Sequence, residues 1–87
     1  MEIKIYTANY CPYCKKLTTL LDEDAIPYTV IDTLSPDGEK EFADIVKVTK
    51  TNLIPTIKVG KVLLAPEKSF DTIKQATDLI KRFLQEQ

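Results

Sequence analysis

Apolar and polar residues alternate over residues 2–6 (Glu-Ile-Lys-Ile-Tyr), the period-two pattern of a strand with one buried face. Residues 7–11 are polar and predict a loop. From Pro12 the period changes to that of a helix. Proline suits a first helical position because its missing N–H would have no partner there. Cys14, Leu17, Leu20 and Leu21 then share one face. Asp22-Glu23-Asp24 oppose the macrodipole at the far end, so the helix is expected to fray there. Residues 27–31 (Pro-Tyr-Thr-Val-Ile) are β-branched and aromatic and predict a second strand. Ser35-Pro36 reads as cap and first residue of a second helix, whose buried side is Phe42, Ile45, Val46 and Thr49. Residues 56–59 and 62–65 are short apolar strands about a Gly60-Lys61 hairpin turn. Ser69 is expected to cap a last helix, with Asp71 in its first turn and a stripe of Ile73, Ala76, Ile80, Phe83 and Leu84.

The predicted order is β-α-β-α-β-β-α, an α/β fold. Strand 1, helix 1 and strand 2 should form a right-handed parallel unit. The short turn makes strands 3 and 4 antiparallel, and helices should cover both faces of the mixed sheet. No repeat or low-complexity segment divides the chain, and residues 1–87 are expected to form one domain.

Charge narrows the function. The formal net charge is −1, and Lys15, Lys16, Lys47 and Lys50 form no continuous basic run. A nucleic-acid partner needs a concentrated basic face, so none is expected. No apolar stretch is long enough to span a membrane. Residues 1–5 lack the basic-then-apolar pattern of a secretory signal, so a cytoplasmic protein is expected.

The two cysteines, Cys11 and Cys14, are separated by only two residues. A bridge between them closes almost no loop, so it contributes little as a structural staple. In a reducing compartment such a pair reads as catalytic or metal-binding. The chain has no histidine, which removes Ser-His-Asp and Cys-His catalysis and histidine-based zinc sites. A lone C-x-x-C supplies only half a zinc site, and no metal is expected within one chain. A site shared by two chains, or a pair of inert packed cysteines, stands as an alternative.

The chemistry follows from position. Cys11 lies where strand 1 has ended and helix 1 begins, facing N–H groups that lack intrahelical partners and carry partial positive charge. This setting favours the thiolate, with Lys15 and Lys16 adding a screened positive field. Cys14 falls inside the first turn, with fewer free donors. Cys11 is therefore expected to attack a disulfide, and Cys14, more buried, to resolve the mixed disulfide. Ile54-Pro55 precedes strand 3. An isolated X-Pro bond is usually trans, but beside a β-C-x-x-C-α unit a cis bond is expected. It would turn the Ile54 backbone towards the dithiol, where it could pair with a substrate strand.

Together, Cys11-Pro12-Tyr13-Cys14 after a first strand, the proline about forty residues later and the hairpin-then-helix ending resemble the glutaredoxins over nearly the whole chain. Thioredoxin proper fits less well, since it carries a tryptophan before its C-G-P-C and this chain has none. The resemblance implies a thioredoxin-like fold with strand order 2-1-3-4 and a cis Pro55. It implies a thiol-disulfide oxidoreductase with no bound cofactor and with glutathione as reducing cosubstrate. Its partners would be disulfide-containing proteins such as ribonucleotide reductase, and a monomer is expected. Tyr13 and Ile54 take the places of family glutathione contacts.

Three positions depart from the family pattern. Ala8 replaces a lysine three residues before the first cysteine. Ala65-Pro66-Glu67-Lys68-Ser69-Phe70-Asp71 replaces a Gly-Gly segment leading to the last helix, and Leu53 replaces a threonine. Lys47 or Lys50 is expected to meet one glutathione carboxylate instead. N–H groups around Ser69, Phe70 and Asp71 would meet the other. The same departures suit a related redoxin served by thioredoxin reductase. A third reading, an iron–sulfur carrier formed by two chains, is disfavoured by Pro12, where cluster-holding relatives have a smaller residue.

Overall fold

In the computed structural model, which describes residues 2–86, the first strand β1 runs Ile3–Thr7 and the helix α1 Pro12–Glu23. Then come β2 (Thr29–Asp32), α2 (Pro36–Thr49), β3 (Thr56–Val59), β4 (Val62–Leu64) and α3 (Ile73–Gln85). The sheet order is β2-β1-β3-β4, as expected. β1 is parallel to β2 and antiparallel to β3, and β3 is antiparallel to β4. Gly60 takes φ 60° at the hairpin, the left-handed backbone that glycine adopts without a Cβ penalty.

Alternation along β1 separates two layers. Ile3 and Ile5 sit opposite Val59 and Ile57 of β3. These four join Leu17 and Leu21 of α1, and Ile73, Ala76 and Ile80 of α3, in one buried cluster. On the other face, Lys4 donates to Glu41 of α2 at 3.0 Å, and Tyr6 stacks on Phe42 with ring centroids 5.9 Å apart. The Tyr6 hydroxyl is buried without a partner, and burial, reinforced by the nearby Glu41 carboxylate, raises its pKa.

Element ends differ from expectation where side chains intervene. β2 begins at Thr29 rather than residue 27, because Ala25 turns the chain at φ 57° and the Ile26 N–H returns to the Leu21 carbonyl. The acidic end of α1 is neutralised from outside. Lys81 pairs with Asp24 at 2.7 Å and the Tyr28 hydroxyl donates to Asp22 at 2.8 Å, so the helix continues to Glu23. Ser69 does not cap α3. Its Oγ accepts from the Ala65 N–H and its own N–H donates to the Ala65 carbonyl, closing a turn in which Glu67 adopts φ 66°. The cap is Thr72, in a reciprocal box with Gln75, which leaves Asp71 outside the helix.

Gly38 ties α2 to the sheet. It donates to the capping Ser35 Oγ at 3.0 Å, and a Cβ at this position would overlap the Asp32 carbonyl oxygen that ends β2. That obstacle is backbone and cannot rotate away. Gly38→Ala is expected to cost about 2–3 kcal/mol, the range of a forced core overlap. Urea denaturation should show a lowered midpoint at unchanged slope. An unaltered midpoint would contradict this account of the β2–α2 junction.

Candidate active site

Cys11 stands at the N-cap of α1, with extended backbone (φ −97°, ψ 102°). Its N–H donates to the Ala8 carbonyl at 3.1 Å, which closes the turn between β1 and the helix. Its Sγ accepts from the Cys14 N–H at 3.1 Å, so one of the unpartnered donors of the helix start already aims at this sulfur. Cys11 and Cys14 are joined as a disulfide, with Cα atoms 5.3 Å apart. Their surroundings differ. Cys11 is partly accessible and Cys14 is only 3% exposed, its side chain turned into the protein by the first helical turn.

Ile54-Pro55 is cis, as expected. Pro55 is buried and Ile54 half-buried at the entry to β3. Both line a groove of about 510 Å³ that also takes in Tyr13 and Lys16 of α1, Leu53, Pro66, Glu67 and residues 70–73. The groove therefore joins Tyr13, Ile54, Pro55, Phe70 and Asp71 of the expected site residues. Ser69 lines a second hollow of about 540 Å³ with Gln75, Asp78 and Arg82, which shares Glu67, Phe70 and Asp71 with the groove.

Two expected lysines lie elsewhere. Lys47 pairs with Asp44 at 3.6 Å on the exposed face of α2. Lys50 ends that helix in the left-handed region at φ 63°, its N–H returned to the Val46 carbonyl. Neither lines the groove. Lys16 does, three residues after Tyr13 and so on the same side of α1, a spacing legible in the sequence.

Three backbone donors leading into α3 are engaged. The Asp71 and Thr72 N–H groups both donate to the Gln75 Oε1, at 2.8 and 3.2 Å, and the Ser69 N–H is held by the Ala65 carbonyl at 2.8 Å. The Thr72-x-x-Gln75 box is the sequence signal for this arrangement, and Ser69 is its competitor as a cap.

The perturbed protonation equilibria belong to the scaffold. Hydrogen bonding to Glu41 raises Lys4, hydrogen bonding to Asp24 raises Lys81, and burial followed by the Asp22 contact raises Tyr28. Among the described residues no three His, Cys, Asp or Glu side chains cluster to hold a metal ion, and no helix is long and apolar enough to cross a membrane.

The same architecture occurs in solved structures. A buckwheat glutaredoxin–glutathione complex superposes with a TM-score of 0.74 at 21% identity, over 97% of this chain and 76% of that one. Oxidized glutaredoxin 2 from Chlamydomonas reinhardtii gives 0.70 at 22% identity, over 98% and 80%. The glutaredoxin-like NrdH-redoxin from Escherichia coli, described as having a thioredoxin-like activity profile, gives 0.67 at 21% identity, over 94% and 93%. No curated protein matches the chain by sequence. The glutaredoxin family profile matches residues 3–64, from the first core residue of β1 to the end of β4. With its paired cysteines at the head of α1, the chain thus belongs to the glutaredoxin family of thiol oxidoreductases.

Proposed function

We propose that the protein reduces protein disulfides and glutathione mixed disulfides through Cys11 and Cys14, with glutathione as electron donor. The Cys11 thiolate attacks a client disulfide, whose S–S bond breaks to release one client thiolate. Cys14 then attacks Cys11, the client's second sulfur leaves as a thiol, and the Cys11–Cys14 disulfide remains. One glutathione opens that disulfide at Cys11 and a second removes the first as oxidised glutathione, so two electrons pass per cycle. The difference in exposure between the two sulfurs supports these roles. The cytoplasm, a reducing compartment, suits this chemistry.

The groove beside the dithiol carries the donor reading. It offers Tyr13 as a rim and the Ile54-Pro55 backbone as one wall. Lys16 lines it together with Glu67 and Asp71, so it presents both signs of charge to a zwitterionic tripeptide.

A second reading has its own observation. Gln75 already occupies the Asp71 and Thr72 N–H groups, and Ala8, only 4% exposed, offers no cation. Anionic ends of glutathione thus find fewer partners than the groove's shape suggests, and thioredoxin reductase would supply the electrons instead. NADPH oxidation during reduction of a protein disulfide separates the two. Turnover is expected with glutathione and glutathione reductase. Turnover with thioredoxin reductase alone would replace the first reading by the second.

A further inference from the structure

The groove beside the dithiol is sparing with positive charge. Of the residues that line it, Lys16 alone is a cation, while Glu67 and Asp71 bring carboxylates. The other anion partners expected for this site are missing or engaged. Lys47 and Lys50 lie outside the groove, and Ala8 carries no charge. The N–H groups of Ser69, Asp71 and Thr72 already donate within the chain. A carboxylate that enters the groove therefore finds one cationic partner, the ammonium of Lys16.

Lys16 is exposed, and among the described residues it enters no ion pair, nor do Glu67 and Asp71. Its place follows from the helix. Three residues after Tyr13, it stands on the same side of α1, and both line the groove. The two carboxylates come from the segment before α3, on backbone that is held. The Glu67 N–H donates to the Phe70 carbonyl and the Asp71 N–H to the Gln75 Oε1, each at 2.8 Å. The groove thus presents a cation from one element and carboxylates from another, on backbone that need not be ordered when a ligand arrives.

This pattern of charge distinguishes the two ends of glutathione. The glycine end carries a carboxylate alone, which beside Lys16 would also meet Glu67 and Asp71 with like charge. The γ-glutamyl end carries an α-carboxylate and an α-ammonium on one carbon, and so complements both signs. We propose that Lys16 is the specificity-determining residue for glutathione as donor, pairing with the α-carboxylate of the γ-glutamyl end while Glu67 and Asp71 receive its ammonium. The inference deepens the glutathione reading and rests on it. Lys16 takes no part in the bond changes. It holds the tripeptide while the glutathione thiolate attacks Cys11, the Cys11–Cys14 bond breaks and Cys14 leaves as the thiolate.

Opening of the oxidised protein by analogues of the donor tests this. The protein is mixed with excess thiol and quenched with acid at intervals, and loss of the Cys11–Cys14 disulfide is followed by mass spectrometry. The thiols are glutathione, its glycine amide, and 4-aminobutyryl-Cys-Gly, which lacks only the γ-glutamyl α-carboxylate. The wild type is expected to react about fivefold faster with glutathione than with 4-aminobutyryl-Cys-Gly, the equivalent of ~1 kcal/mol for an exposed ion pair. The glycine amide should match glutathione within about twofold. In Lys16→Gln the ratio of glutathione to 4-aminobutyryl-Cys-Gly should fall to about one, and in Lys16→Arg it should persist. Glutamine keeps the helix propensity of lysine, so α1 is preserved. A change in the reactivity of Cys11 itself would move all three rates together, so the ratio reports the contact alone. Lys15→Gln removes the neighbouring charge from outside the groove and should keep the wild-type ratio. A wild type that does not distinguish the two thiols, or a Lys16→Gln protein that retains the full ratio, would overturn the role of Lys16. A loss that falls on the glycine amide instead would overturn the assignment to the γ-glutamyl end. Mercaptoethanol at equal thiolate concentration separates these failures from that of the donor reading. If glutathione opens the disulfide no faster than mercaptoethanol does, the glutathione reading itself falls, and the role of Lys16 with it.

Discussion

Cys11→Ser is expected to abolish thiol–disulfide exchange with every substrate, by at least on the order of a thousandfold, the scale on which losing a nucleophile acts. Serine leaves the N-cap intact, because its hydroxyl can accept the Cys14 N–H that Cys11 Sγ accepts at 3.1 Å. The fold and the start of α1 should survive, and circular dichroism with an unchanged melting curve checks that they do. What disappears is the thiolate, since a serine hydroxyl neither ionises at neutral pH nor forms a disulfide. Both protein-disulfide and glutathione-mixed-disulfide assays should fall to background together. Residual exchange in either one would mean that Cys14, only 3% exposed, can attack a substrate by itself.

Cys14→Ser is expected to split the same two assays. Reduction of a protein disulfide leaves a mixed disulfide on Cys11 that only a nearby thiol releases quickly. Without Cys14 this species should accumulate and be visible by mass spectrometry. Turnover on protein disulfides should drop by on the order of a hundredfold or more, as when an intramolecular step becomes bimolecular. A glutathione mixed disulfide needs only one sulfur on the enzyme, because a second glutathione completes the cycle. That activity should remain within about an order of magnitude of the wild type. Equal loss in both assays would remove the division of labour between the two cysteines.

The dithiol and the fold around it were legible because each rests on short-range rules. Proline at the first helical position places Cys11 at the helix start whatever lies elsewhere. The alternation of Ile3 and Ile5 and the 3.6-residue stripe of α3 specify which faces meet. The surroundings of the dithiol were harder to read, because they depend on which of several polar residues wins a contact. Ser69 and Thr72 are both competent caps, and only Gln75, three residues after Thr72, decides between them. Lys47 and Lys50 look available on a linear chain, yet α2 packs over the face opposite the α1–α3 core and carries them away from the groove. The linear sequence shows Lys16 only as a charge near the dithiol; its place in the groove follows from the turn of α1 that it shares with Tyr13.

The family match ends at residue 64, but the core does not. Ile73, Ala76 and Ile80 of α3 pack into the same buried cluster as Leu17 and Leu21, the inner side of the helix that carries the dithiol. Lys81 adds a 2.7 Å ion pair to Asp24, just past the end of that helix. The helix that carries the reactive sulfur thus rests on long-range packing against a C-terminal helix that enters the groove only at its first residue, Ile73. Sequence drift along that helix can tune the geometry of exchange while every residue of the Cys-Pro-Tyr-Cys segment stays the same.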